Sequence, residues 1–254
     1  PSASTLVLER REQAQRKTAT KNIAVMADPV FDTTDERVVN IDIKITNNVQ
    51  ENVSVEELRI LEHVSEEDEN NQKVLRIPRL KYTEIEANEI IKLVENNNYL
   101  KVSGFDATRE IIAKGELSNY KYIHFATHGF LDVEKPEFSA LVFSMLNSKG
   151  EAQDGFLRTH EVFNLSLPAE LVVLSACETA LGKEVKGEGL VGLTRAFMYA
   201  GAVRIVVSLW GVNDVATSQL MTKFYKKLIL EKLPPSTALR LAQIEMIKDT
   251  DYKA

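Results

Sequence analysis

Leu171-Val172-Val173-Leu174-Ser175-Ala176-Cys177 is the most apolar strand-length run of the chain, and it ends on the only cysteine. A short run of branched aliphatic residues without polar alternation reads as a strand covered on both faces. Working outward, Tyr120 to Ala126 predicts a second such strand, ending at Thr127-His128-Gly129. Asn22 to Ala27 predicts a third, stopped by the turn signal Asp28-Pro29. Shorter strands are expected at Leu100–Val102, Ser139–Ser144 and Val203–Leu209. Helical spacing fills the gaps at Tyr82–Val94 (with Ile85, Ile90, Ile91 and Val94 on one face), Thr159–Phe163, Gly189–Ala200, Asp214–Leu230 and Ser236–Ile247. A further helix is expected from an Asp106 cap to about Leu117. Strands separated by helices, with apolar centres, define an α/β fold whose mostly parallel central sheet is flanked by helices on both faces. No fixed-period repeat interrupts that pattern, so residues 1–254 are expected to form one domain.

Residues 32–76 break the rhythm. Val39 to Ile45 alternates as a half-exposed strand would, and the acidic, Asn-rich stretch Glu62–Asn71 buries little, so this region is expected to be an insertion or loop. Regular patterning resumes after Pro78. The first segment, Ser4 to Lys21, has helical spacing with a thin apolar face.

The composition is that of an ordinary soluble protein, 44% hydrophobic and 27% charged. A net charge of -6 argues against direct nucleic-acid binding, which needs a dense basic face. No apolar stretch approaches the roughly 20 residues that span a bilayer, so no membrane partner is expected. One cysteine allows no internal disulfide and suits a reducing, cytoplasmic location. Opening on Pro1 and closing on Asp251-Tyr252-Lys253-Ala254, the chain reads as a fragment of a longer protein.

Ligands of open α/β sheets bind beyond the carboxyl ends of the strands. Two reactive residues fall there, His128 and Cys177, separated by 49 positions in sequence but placed on neighbouring strands by the pattern. An imidazole beside a thiol converts it to the nucleophilic thiolate and later protonates a leaving amine. Gly129, lacking a Cβ, admits a substrate carbonyl close to its backbone N–H; with the N–H of Cys177 it makes a candidate oxyanion hole. No cofactor and no metal are expected. His124 and His128 are four apart but on a strand, without a metalloprotease glutamate, so His124 reads as a core residue or as a support behind the site residues. His63 and His160 read as exposed. Gly187-Glu188-Gly189-Leu190-Val191-Gly192 matches a dinucleotide fingerprint, but it lies about a dozen residues from the preceding strand, where that fingerprint should follow directly.

The segments His124-Phe125-Ala126-Thr127-His128-Gly129 and Leu174-Ser175-Ala176-Cys177-Glu178-Thr179 resemble the signatures of the CHAT family, caspase-like domains associated with tetratricopeptide repeats. The resemblance extends through Lys186 to Phe197, Val207-Ser208-Leu209-Trp210, Asp154-Gly155-Phe156-Leu157, Asp28-Pro29-Val30-Phe31 and the opening Pro1-Ser2-Ala3-Ser4. It implies a caspase- and separase-like cysteine endopeptidase with base His128 and nucleophile Cys177, acting on protein substrates and controlled by an attached or partner domain such as tetratricopeptide repeats. It equally allows a catalytically inactive interaction module. Members usually close with a further aromatic-rich strand that this chain lacks. Where caspases hold aspartate with basic groups, the pocket candidates here are acidic. Asp214, in Trp210-Gly211-Val212-Asn213-Asp214, matches the separase position that receives arginine, which implies cleavage after a basic residue. Asp154 is a second pocket candidate and Asp28 a third. Asp214 is also suited to capping the helix it opens.

Overall fold

The computed structural model describes residues 19–38, 65–67, 73–75, 77–131, 135–175, 177–178, 188–208 and 213–249. The expected N-terminal helix, the Val39–Ile45 strand and His63 lie outside these residues. Among the described residues eleven strands run in chain order: β1 (Lys21–Pro29), β2 (Ser65–Glu67), β3 (Lys73–Leu75), β4 (Tyr99–Gly104), β5 (Tyr120–Ala126), β6 (His128–Phe130), β7 (Ala140–Val142), β8 (Phe156–Arg158), β9 (Leu171–Leu174), β10 (Cys177–Glu178) and β11 (Ile205–Val207). The helices are α1 (Lys81–Ile91), α2 (Arg109–Ala113), α3 (Thr159–Phe163), α4 (Glu188–Tyr199), α5 (Asp214–Tyr225) and α6 (Pro235–Lys248).

The central sheet has the order β11-β9-β5-β1-β4, parallel throughout. It is the doubly covered α/β sheet the sequence predicts. Side chains alternate along each strand, so Ala24, Met26, Ile123, Phe125, Val172 and Leu174 face one way and pack with Ile112, Val162 and Phe197 from α2, α3 and α4. Ile23, Val25, Tyr122, Leu171 and Val173 face the other way, against Ala87 and Ile90 of α1, Phe224 and Tyr225 of α5, and Ala238 and Ala242 of α6. Burial on both faces is why these strands read as unbroken apolar runs.

Three expectations need correction. The helix after Asp106 covers only Arg109–Ala113, with Thr108 at its N-cap and no side-chain cap. It stops at Lys114 because Gly115 takes φ +77°, a left-handed conformation that ends a helix cheaply. In α1 the buried face is Thr83, Glu86, Ala87 and Ile90, while Ile85 is 51% exposed. The face is rotated because buried Glu86 has a partner inside, described below. Finally, Ser139–Ser144 does not join the central sheet. Its strand β7 lies in a second sheet of order β10-β6-β7-β8, where β6 pairs parallel with β10 and antiparallel with β7.

Candidate functional site

The chain leaves β1 for β4 on one side and returns to β5 on the other, so the strand order reverses between β1 and β5. At such a switch point the carboxyl ends of adjacent strands open a crevice. Asp28 ends β1 there, and His128 follows β5 by two residues. The bend from β5 into β6 is held by Thr127, whose buried hydroxyl donates to the Val142 carbonyl of β7. This carries His128 into the second sheet. There its register partner across the parallel β6–β10 pair is Cys177, and that of Gly129 is Glu178. The two residues separated by 49 positions thus stand side by side on adjacent backbones.

The surroundings of His128 fix its chemistry. Its Nε2 is 2.7 Å from the Pro78 carbonyl oxygen. A carbonyl only accepts, so in the neutral ring Nε2 carries the proton and donates it, leaving Nδ1 with a bare lone pair. Nδ1 is buried and has no hydrogen-bond partner among the described residues. Phe31 packs on the ring, centroid to centroid 4.8 Å at 56°. Phe31 belongs to an apolar cluster with Ile77, Phe130, Ala140, Val142 and Phe156. Burial there pushes the imidazole down to about pKa 4, against the smaller opposing pull of the Pro78 bond. His128 therefore rests neutral at physiological pH with one nitrogen free to take a proton. Pro78 enters the sequence reading only as the edge of the irregular region; a backbone carbonyl leaves no side-chain signature, so its role was not legible there.

The loop beneath is pinned from both sides. Val30 N–H donates to Ser144 Oγ (3.0 Å), Ser144 Oγ donates to the Gly104 carbonyl (2.6 Å), and Asp32 Oδ2 accepts from Ile77 N–H (3.1 Å). Asp28, third among the pocket candidates, is buried and bound by two guanidinium groups, Arg79 at 2.6 Å and Arg37 at 3.0 Å. Its charge is already compensated, which removes it as a substrate pocket. Asp154 is engaged as well: Oδ1 accepts from Phe156 N–H (3.0 Å), Oδ2 from Arg158 (2.9 Å), and Arg109 lies 3.6 Å away. Its side chain is nonetheless 33% exposed. Asp214 is half-buried in the first turn of α5. It is not the cap of that helix, because Asn213 Oδ1 accepts the Val215 and Ala216 N–H groups at 3.0 and 3.2 Å.

His124 is a core residue. It is wholly buried on the α1/α5 side of the sheet, with Nδ1 3.1 Å from the Tyr225 hydroxyl and Nε2 2.7 Å from Glu86 Oε1. The Glu86 contact is close but misaligned, so neither atom completes a regular hydrogen bond. Burial raises the Tyr225 hydroxyl well above its ordinary pKa, reinforced by Glu86. His160 is exposed on α3. Among the described residues no group of three or more His, Cys, Asp or Glu converges as a metal site. No described helix is long and apolar enough to cross a membrane.

A parallel α/β sheet with a buried histidine and a cysteine in register at its carboxyl edge defines a caspase-like architecture. The CHAT domain family matches the chain over residues 1–254, and the protein belongs to that family. Among curated proteins, tetratricopeptide repeat protein 28 of Homo sapiens is 40% identical over 87 residues, 34% of this chain and 3% of that protein. Its Mus musculus counterpart is 41% identical over 73 residues, 29% of this chain and 3% of that protein. The chain thus spans only a small part of the length of these relatives.

Proposed function

We propose that this domain is a cysteine endopeptidase in which His128 is the base and Cys177 the nucleophile. The observation that carries the reading is the backbone register of Cys177 against a buried His128 whose bare Nδ1 has no described partner. Nδ1 accepts the thiol proton as sulfur attacks the scissile carbonyl carbon. The N–H groups of Gly129 and Cys177 stabilise the oxyanion. The imidazolium then returns its proton to the leaving amine as the C–N bond breaks, leaving a thioester that water hydrolyses. Pro78 steadies the imidazolium, because its carbonyl accepts from Nε2–H in either charge state. Substrate enters with a basic residue before the cut, received by Asp214. An attached or partner domain governs access, a role suited to the tetratricopeptide-repeat context that the relatives' name indicates. The protein is expected to work in the cytoplasm.

The test is cleavage of Arg-, Lys- and Asp-ended reporter peptides by the full-length protein, beside Cys177→Ala and His128→Ala. Arg or Lys reporters are cut and both substitutions abolish turnover. Cleavage that survives either one removes the dyad. If no reporter is cut and an electrophilic arginyl peptide leaves Cys177 unmodified, the domain is an interaction module instead.

A further inference from the structure

We propose that Asp28 and Arg79 are positioning residues for His128, their buried ion pair fixing the Pro78 carbonyl that holds the imidazole. The inference rests on the reading of His128 as the base. Arg79 is covalently next to Pro78, and its Nε and Nη2 reach the two oxygens of Asp28 at 2.9 and 2.6 Å. That two-pronged pairing fixes orientation as well as distance. Asp28 is itself clamped. Its N–H donates to Thr83 Oγ1 at 3.0 Å, its carbonyl accepts from Arg37 Nη1 at 3.0 Å, and the Thr83 hydroxyl donates to the Leu80 carbonyl at 2.7 Å. On the other side of Pro78, Ile77 is tied to Asp32. The peptide carrying the accepting carbonyl is therefore bracketed by two aspartates, and the ring of proline limits its own backbone.

The construction is costly for a fastening. Asp28 has φ +48°, a conformation that non-glycine residues rarely adopt, at the point where the β1–β4 register slips between Ala27 and Pro29. It also withdraws a carboxylate from water, where apolar packing would fasten a loop equally well. Strain and buried charge kept together at a strand end point to a site they serve, and this one ends on the His128 ring.

The experiment uses the intact protein and follows Cys177, the one cysteine of residues 1–254, in its own peptide. Iodoacetamide alkylation of Cys177 is followed by mass from pH 4 to 9 in the wild type, His128→Ala, Arg79→Gln, Arg79→Lys and Asp28→Asn. Arg79→Gln is expected to slow alkylation at pH 7 at least tenfold and displace the pH profile, with Arg79→Lys recovering part of the rate. Arg79→Gln combined with His128→Ala loses nothing beyond His128→Ala alone. A wild-type rate and profile in folded Arg79→Gln overturns the positioning role while leaving the dyad intact. A wild-type profile in His128→Ala overturns both. Should Arg79→Gln fail to fold, 15N shifts of the His128 ring in Arg79→Lys and Asp28→Asn decide: an unchanged Nε2–H tautomer with an unchanged alkylation rate overturns the proposal.

Discussion

Two histidines four positions apart meet opposite fates, and the difference is which side of the backbone each leaves. His124 points into the α1/α5 core, where Tyr225 meets Nδ1 and the Glu86 carboxylate lies against Nε2; His128 lies past the bend at Thr127, with Nε2 on Pro78 and no described hydrogen-bond partner at Nδ1. Their substitutions should separate cleanly. Glu86→Ala removes the carboxylate that faces the buried His124 Nε2 and is expected to cost about 3 kcal/mol in urea unfolding. It should leave the alkylation rate of Cys177 at native pH unchanged; a tenfold loss in still-folded protein would tie the two histidines together. His128 also sets a pH dependence. Its folded value of about 4 lies below the ordinary 6.5, so between these values the unfolded chain binds a proton that the native state refuses. Stability is unaffected above pH 6.5 and falls as pH drops through the window. At pH 4.5 the loss from this one group is about 2.5 kcal/mol relative to pH 7.5. Urea midpoints of the wild type and His128→Gln should therefore converge on acidification. A difference that stays constant with pH would show that burial does not depress this imidazole.

At the scale of elements, the central strands were legible because each carries a run of mostly apolar residues bounded by turn signals, and the helices wherever both ends were marked. Thr159–Phe163 and the span of α4 follow directly from such signals. Of the second sheet only β7 was legible, within Ser139–Ser144; β6, β8 and β10 are two or three residues long, too short for any period to show, and nothing local marks the pairing that sets β7 apart from the central sheet. Its assembly depends on one glycine. A Cβ on Gly155 would stand 2.4 Å from the Phe143 carbonyl oxygen, whose own residue donates its N–H to Gly155 at 2.7 Å. Gly155→Ala should thus push β7 and β8 apart, at a cost of about 1–3 kcal/mol. A thermal midpoint equal to the wild type would mean the strands yield freely. The start of α5 shows a different failure. Asn213 and Asp214 are equally good caps on paper, and only the backbone decides that Asn213 takes the position.

On the scale of the whole molecule, the proposed site draws on places that the chain order scatters. His128 follows β5, Cys177 follows β9 and Asp214 follows β11, and these three strands are consecutive in the sheet. Strand spacing therefore separates the ends of β5 and β11 by about 10 Å. The placement of His128 and Cys177 was legible because each directly follows a strand-length run that the sequence marks; the Asp28–Arg79–Pro78 contacts were not, since they join residues about 50 positions apart through a buried charge that no local pattern announces. The Asp214 pocket is the part of the proposed mechanism that depends on the sheet as a whole. Under the proposed mechanism, Asp214 would receive the side chain of the residue before the cut from the β11 side of the carboxyl edge. Pairing it with guanidinium in partial burial is worth enough that its loss should lower kcat/KM for an arginyl reporter about a hundredfold. Asp214→Ala is the test, made in the folded protein, with Asn213 left to cap the helix. Alkylation of Cys177 by a small reagent should persist at the wild-type rate, because the base is untouched. If the folded variant still prefers arginine, the pocket is built from other residues of the carboxyl edge, and the acidic first turn of α5 serves only its helix.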